Sequence, residues 1–272
     1  MKSVKIISSK DPYRLDYIAD QNDRIPALTR KNADFIEAVV RLDSNYANDL
    51  AITGPDRDYD PEKYAENSNG MYCGSTAYWF EQMKQNNDFK RNVLGAVIAI
   101  DRTNSTHLEA CINGRIAMRN IICEYCNNYE DLINKLNERF SSDNHNHLIA
   151  LLSQPLQSKR KEEKRYNLSF ATKFCSYAST FLNVSRRYSK YDNVVSAALP
   201  MYAGIYLGTK IPKGAFKIKT NPKEDKFSHR LKVYEKYANC IEKIIATLQE
   251  DNIIISKDEL DHIIWYGYKA LL

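Results

Sequence analysis

The chain has 272 residues, 43% of them hydrophobic and 27% charged; this is ordinary globular usage, excludes wholesale disorder, and suffices for one large domain or two smaller lobes, the two-lobed form being the default expectation. No apolar run of about 18 residues occurs, and the N-terminal "MKSVKIISSKDPYRLDY" returns to charge too early for a signal peptide, so a soluble, cytoplasmic protein with no membrane partner is expected. The net charge of +5 hides an asymmetry: residues 159 to 236 carry 18 Lys and Arg against 6 Asp and Glu, a balance of +12 that leaves −7 elsewhere. Such a concentration suits a polyanion partner or a solvated basic surface.

In chain order, "VKIIS" reads as a short strand and "NADFIEAVVRLDSNYANDLAI" as an amphipathic helix. The polar "GPDRDYDPEKYAENSNG" reads as loop. Helical spacing returns in "STAYWFEQMKQ", "FKRNVLGAVIAI", "THLEACINGRIAMRNIICEYC" and "YEDLINKLNERF", with Ser75, Asn104 or Ser105, and Asn128 as N-caps. After the polar "SSDNHNH" come an apolar helix, "LIALLSQPL", a charged run, and the segment "YNLSFATKFCSYASTFLNVSRRYSKYDNVVSAALP". The tract "GTKIPKGAFKIKTNPKEDKF" reads as a basic loop or hairpin. Two closing helices follow, the second opened by Ser256 and Glu259 as a capping box. The expected fold is mainly α with little β structure, divided into a helical region 1–140 and a second region 141–272 whose C-terminal helices pack back.

Several motifs carry no chemistry. Six cysteines are too few for a disulfide scaffold in a chain of this length and read as thiols. Cys123 and Cys126 form a lone C-x-x-C without the second pair of ligands that a zinc site needs, and His145 and His147 lie in a polar loop without a nearby carboxylate. No metal and no cofactor are expected. Phosphate-loop, nucleophile-elbow and zincin patterns are absent from the sequence. The 19 tyrosines suit wet interfaces or base stacking, though half-buried packing explains most of them.

The long segment holds the strongest candidates. Lys173 begins an apolar helix that places Phe174, Tyr177, Ala178 and Phe181 on one side, after a turn "NLSFAT". At a helix start the positive dipole and desolvation both disfavour an ammonium and favour the nucleophilic amine. Asp192 opens the next helix, where backbone N–H groups keep a carboxylate ionised. The 19-residue separation by itself means nothing in a chain rich in both residue types.

In these residues the segment resembles the helix-hairpin-helix DNA glycosylases of the 8-oxoguanine glycosylase-like branch. There a hairpin "L-P-G-V-G-T-K" ends in the nucleophilic lysine, and an aspartate about 19 residues later opens another helix. Here "N-L-S-F-A-T-K" matches directly at Thr172 and Lys173, and "YDNVV" stands in the place of the aspartate. Leu168, Ser169 and Ala171 replace the proline and both glycines, and the cysteine quartet of iron-sulfur relatives is missing. "SFATKFCSYAS" is similar to divergent bacterial members of this branch, some of which act against bacteriophages by excising modified bases. About 40 residues carry the resemblance.

The resemblance implies a two-lobed helical fold, a duplex DNA partner, a monomeric enzyme and base excision in repair or antiviral defence. Lys173 would attack C1′ of the deoxyribose and form a Schiff base, giving lyase activity as well, while Asp192 would stabilise the developing sugar cation. A lysine at its ordinary pKa is neutral in only about 1 molecule in 2,500 at pH 7, so the site must favour the amine. The flipped base would meet Tyr177, with Asp261 and Trp265 on the last helix as edge reader and wall. Ser169, Phe170 and Ala171 would take the hairpin's place on DNA, and Arg186, Arg187, Lys190, Lys210, Lys213 and Lys217 would contact phosphates. Two alternatives stay open: water attack with Lys173 as helper, and a non-catalytic module that binds DNA or protein.

Overall fold

The computed structural model describes residues 4–8, 10, 15–19, 25–42, 71–85, 88–104, 106–160, 164–218 and 226–268. The loop expected at 54–70, the helix continuation past residue 42 and the cap Ser105 lie outside the described residues. Among those described, the protein is mainly helical, with ten α-helices and two small two-stranded sheets. It divides into two compact units that interleave along the sequence: Met1–Met71, Asp192–Lys217 and Asn239–Leu272 in one, Tyr72–Tyr191 and Ile218–Ala238 in the other. A single break near residue 140 is therefore not where the chain divides.

In the first unit, β1 (Ile6–Ile7) pairs antiparallel with β2 (Tyr17–Ile18), with Ile6 opposite Ile18. The helices are α1 (Arg30–Leu42), α8 (Asn193–Leu207) and α10 (Lys257–Tyr268). Asn32 clasps the chain ahead of α1: its Nδ2 donates to the carbonyls of Asp16 (2.8 Å) and Ala27 (2.7 Å), and its Oδ1 accepts the Asp16 N–H at 2.7 Å. Two tyrosines of α8 seize the same stretch. Tyr202 donates to the Pro26 carbonyl and Tyr206 accepts the Leu28 N–H, both at 2.8 Å. Helix α10 packs on α1 and α8. Its capping box forms as read: Glu259 N–H donates to Ser256 Oγ, and Ser256 N–H to Glu259. Arg30 then reaches Glu259 from α1.

The second unit begins with α2 (Met71–Lys84), α3 (Phe89–Thr103), α4 (Gly114–Tyr125) and α5 (Tyr129–Asn137). Asp88 and Asn128 cap α3 and α5 through their side chains. Ser75 falls inside α2 rather than at its start, and Asn104 closes α3 instead of opening the next helix. The single helix expected over 106–126 is broken into a 3-10 turn, Leu108–Ala110, and α4, because Asn113 takes a left-handed φ of 50° before Gly114. Any side chain at Gly114 would place Cβ 2.2 Å from the Leu108 carbonyl oxygen.

Helix α6 (Leu148–Leu152) is shorter than its apolar run, since Leu156–Gln157 (β3) leaves it to pair with Lys164–Arg165 (β4). This ribbon leads to α7 (Leu168–Phe181). The basic tract after α8 forms turns over 213–216, with no strand among its described residues. Helix α9 (Lys226–Glu250) contributes Lys226–Ala238 to the second unit and the remainder to the first.

Helices α3 and α7 pack against each other, and Val93, Ala96, Val97 and Ile100 of α3 and Phe170, Phe174 and Ala178 of α7 are all buried. The ring of Phe80 in α2 lies 5.7 Å from that of Phe174 and 6.0 Å from that of Phe181. The Phe80 and Phe174 rings, fully buried, each contribute about 2 to 3 kcal/mol by removal from water, plus an aromatic pairing gain of about 1 kcal/mol. That packing fixes the face on which α7 carries its lysine.

Candidate functional site

Lys173 lies in the second turn of α7, not the first, because the helix starts at Leu168 and takes in the residues expected as a turn. Only 7% of Lys173 is exposed, and its Nζ donates to the Asn104 carbonyl at 3.3 Å. Asn104 is also gripped by Tyr177, one helical turn beyond the lysine, whose hydroxyl donates to Asn104 Oδ1 at 3.1 Å. Lys190 closes the group: its Nζ sits 4.5 Å from the centre of the Tyr177 ring. Two of the candidate residues thus meet on one asparagine, which the sequence suggested only as a helix cap, and the third lies over the ring of the second.

The end of α3 that presents Asn104 is held by Asp101. Its buried carboxylate accepts from Thr106 Oγ1 (2.6 Å), the Leu108 N–H (2.8 Å) and Arg115 Nε (2.7 Å). Burial pushes the carboxyl upward, but these hydrogen bonds and the Arg115 charge outweigh it and hold the group below the usual carboxylate range.

The segment before Asp192 is anchored just as firmly. Thr172 Oγ1, on the residue preceding Lys173, accepts the Tyr191 N–H at 2.9 Å. Two buried tyrosines of α9 hold the adjoining carbonyls: Tyr234 donates to Ser189 at 2.9 Å and Tyr237 to Lys190 at 2.7 Å. Tyr188 donates to the Leu136 and Glu138 carbonyls and meets His147 Nε2 at 3.1 Å. Burial, which outweighs the Glu138 carbonyl, brings the His147 pKa down to about 4.

In the other unit, Asp192 caps α8 as expected, with Oδ1 accepting the Val194 N–H at 2.8 Å from a half-buried position. Asp261 is buried in α10 at 7% exposure, which rules out a merely solvated charge, and Trp265 is half-buried with its ring 4.7 Å from that of Tyr266.

Several sequence readings need correction. Phe170 and Ala171 are 1% and 0% exposed inside α7, where Phe170 packs 6.0 Å from Phe174, so neither offers backbone or side chain to a DNA strand; Ser169 is half-buried beside them. Lys190 is 4% exposed, too buried for a phosphate contact. Arg187 hydrogen-bonds the Ser179 and Val184 carbonyls at the end of α7, and Arg186 the Asn137 carbonyl at 3.2 Å, so both also serve helix ends. Lys210, Lys213 and Lys217 are exposed. The Cys126 thiol is buried and pushed up to about 12, and burial also holds the completely buried Cys175, two residues past Lys173, well above the ordinary thiol range. Among the described residues, no three His, Cys, Asp or Glu side chains gather as a metal site.

No protein-family model matches the chain, and no curated protein or solved structure shows significant similarity to it.

Proposed function

We propose that the protein is a DNA glycosylase that removes a modified or damaged base, with Lys173 as nucleophile and Asp192 as the carboxylate that stabilises the sugar cation. The buried placement of Lys173 against the Asn104 carbonyl carries this reading. A lysine is seldom buried without a task. An amine attacks only through its lone pair, so the reaction calls for Lys173 in its neutral form.

In the proposed reaction the Lys173 amine bonds to C1′ as the C1′–N bond to the base breaks, and the base departs with that electron pair and a proton. Ring opening leaves a protonated imine. Loss of a C2′ proton then expels the 3′ phosphate, which is the lyase step. The Asp192 carboxylate, at its helix start, opposes the positive charge while it develops on the sugar. Duplex DNA is the proposed partner, and Lys210, Lys213 and Lys217 supply charge that can meet its phosphates. The role is repair or defence against phages with modified DNA.

The test is borohydride added during incubation with duplexes carrying damaged or phage-type modified bases. Wild-type protein should give a covalent protein–DNA adduct and Lys173→Gln none. Excision without an adduct, together with an active Lys173→Gln, moves the attack to water. Neither excision nor adduct across the panel leaves a binding module.

A further inference from the structure

We propose that Arg230, on its Tyr166 platform, forms an oxyanion site that takes a phosphate group. Arg230 stands in the first turns of α9, and its guanidinium carbon lies 4.5 Å from the centre of the Tyr166 ring. Its Nε is closed off from water and has no hydrogen-bond acceptor. Among the described residues no carboxylate pairs with it. Burial brings its pKa down, with Tyr166 and Tyr191 opposing the shift only in part.

Such an arrangement is costly for the free protein. A guanidinium loses hydration when it is half-buried, and a donor left without an acceptor forfeits a hydrogen bond it had in water. The aromatic face offsets part of that loss and holds the planar fork in one orientation, ready for a two-pronged contact. A ligand oxyanion that meets the half-buried guanidinium supplies acceptors that the described residues do not.

Charge selects the anion. Lys164 and Arg165 are exposed on β4 immediately before Tyr166, and Lys226 and Lys232 are exposed around Arg230 on α9. A basic setting of this kind favours a phosphate over a singly charged carboxylate, and the arginine fork matches two phosphate oxygens. If the glycosylase reading holds, the phosphate belongs to the DNA strand; the site itself does not depend on that reading.

The experiment uses full-length wild-type protein with 15N-labelled arginine, the Arg230 Nε–H assigned through its own backbone resonances. Inorganic phosphate is titrated against sodium chloride at matched ionic strength. A saturable shift of the Arg230 Nε–H with phosphate, absent with chloride, is expected. Displacement of that phosphate by an unmodified duplex identifies a DNA strand as the source, whereas saturation untouched by duplex identifies a small phosphate-bearing ligand. A resonance that stays still, or moves equally with chloride, overturns the site. Loss of base excision would not alter the phosphate titration, so the two readings fail separately.

Discussion

The basic span of the chain contains two populations of lysine in unlike surroundings. Lys173 and Lys190 are buried at 7% and 4% exposure, one on a carbonyl and one on an aromatic ring, within a frame of tyrosine hydroxyls and a threonine. Lys210, Lys213 and Lys217 stand exposed in the turns after α8. Counted as charge the two sets are alike. In the first, each residue depends on its neighbours' geometry; in the second, only the number of charges matters. Changes in the framed region should therefore alter chemistry or folding, and changes in the exposed tract should alter salt-dependent affinity alone.

The sharpest way to break this contrast is Asp192→Asn, which preserves size and most of the cap while deleting the charge at the end of the framed segment. Removing one preorganised electrostatic group commonly costs about 10² to 10³ in rate. Single-turnover base release should fall by that factor with the thermal midpoint nearly unchanged. Excision at the wild-type rate would reduce Asp192 to a helix cap worth about 1 kcal/mol.

An acid titration tests the frame itself. His147 has its pKa lowered to about 4 when folded and an ordinary value of 6.5 when unfolded, so below pH 6.5 the unfolded chain binds the extra proton. Stability should be unaffected by this group above pH 6.5, fall as pH drops from 6.5 to 4, and level off below, by about 3 kcal/mol in all. His147→Gln should lack that slope in denaturant melts. An identical slope in the variant would assign the acid sensitivity to other groups.

The smallest effect on the fold belongs to the exposed tract. Replacing Lys210, Lys213 and Lys217 by Ala should leave the melting temperature within about 2 °C. The slope of log affinity for duplex DNA against log salt should become shallower by about 3, near 0.9 for each phosphate that the protein no longer neutralises. An unchanged slope would exclude these lysines from the DNA interface.

Periodicity made the helices legible, and cap chemistry placed Asn128, Asp192 and the Ser256–Glu259 box correctly, because each depends on residues within one turn. Local reading failed where a distant partner decides. The turn expected over 167–172 is helix because Phe170 and Ala171 have a core to enter. Asn104, read as a cap opening one helix, closes another and faces a lysine 69 residues away. Lys190 looked like surface charge because nothing adjacent in sequence reveals the Tyr177 ring that receives it. The tyrosines were ascribed mainly to packing; Tyr188, Tyr202, Tyr234 and Tyr237 also pin backbone carbonyls far along the chain.

Cys175 offers a clock. Its sulfur, two residues from Lys173, is fully buried and its thiol is held far from ionisation, so an alkylating reagent can reach it only when α7 opens. The labelling half-life of this one atom therefore records how often the lysine's surroundings come apart, and a ligand that settles beside Lys173 would lengthen it.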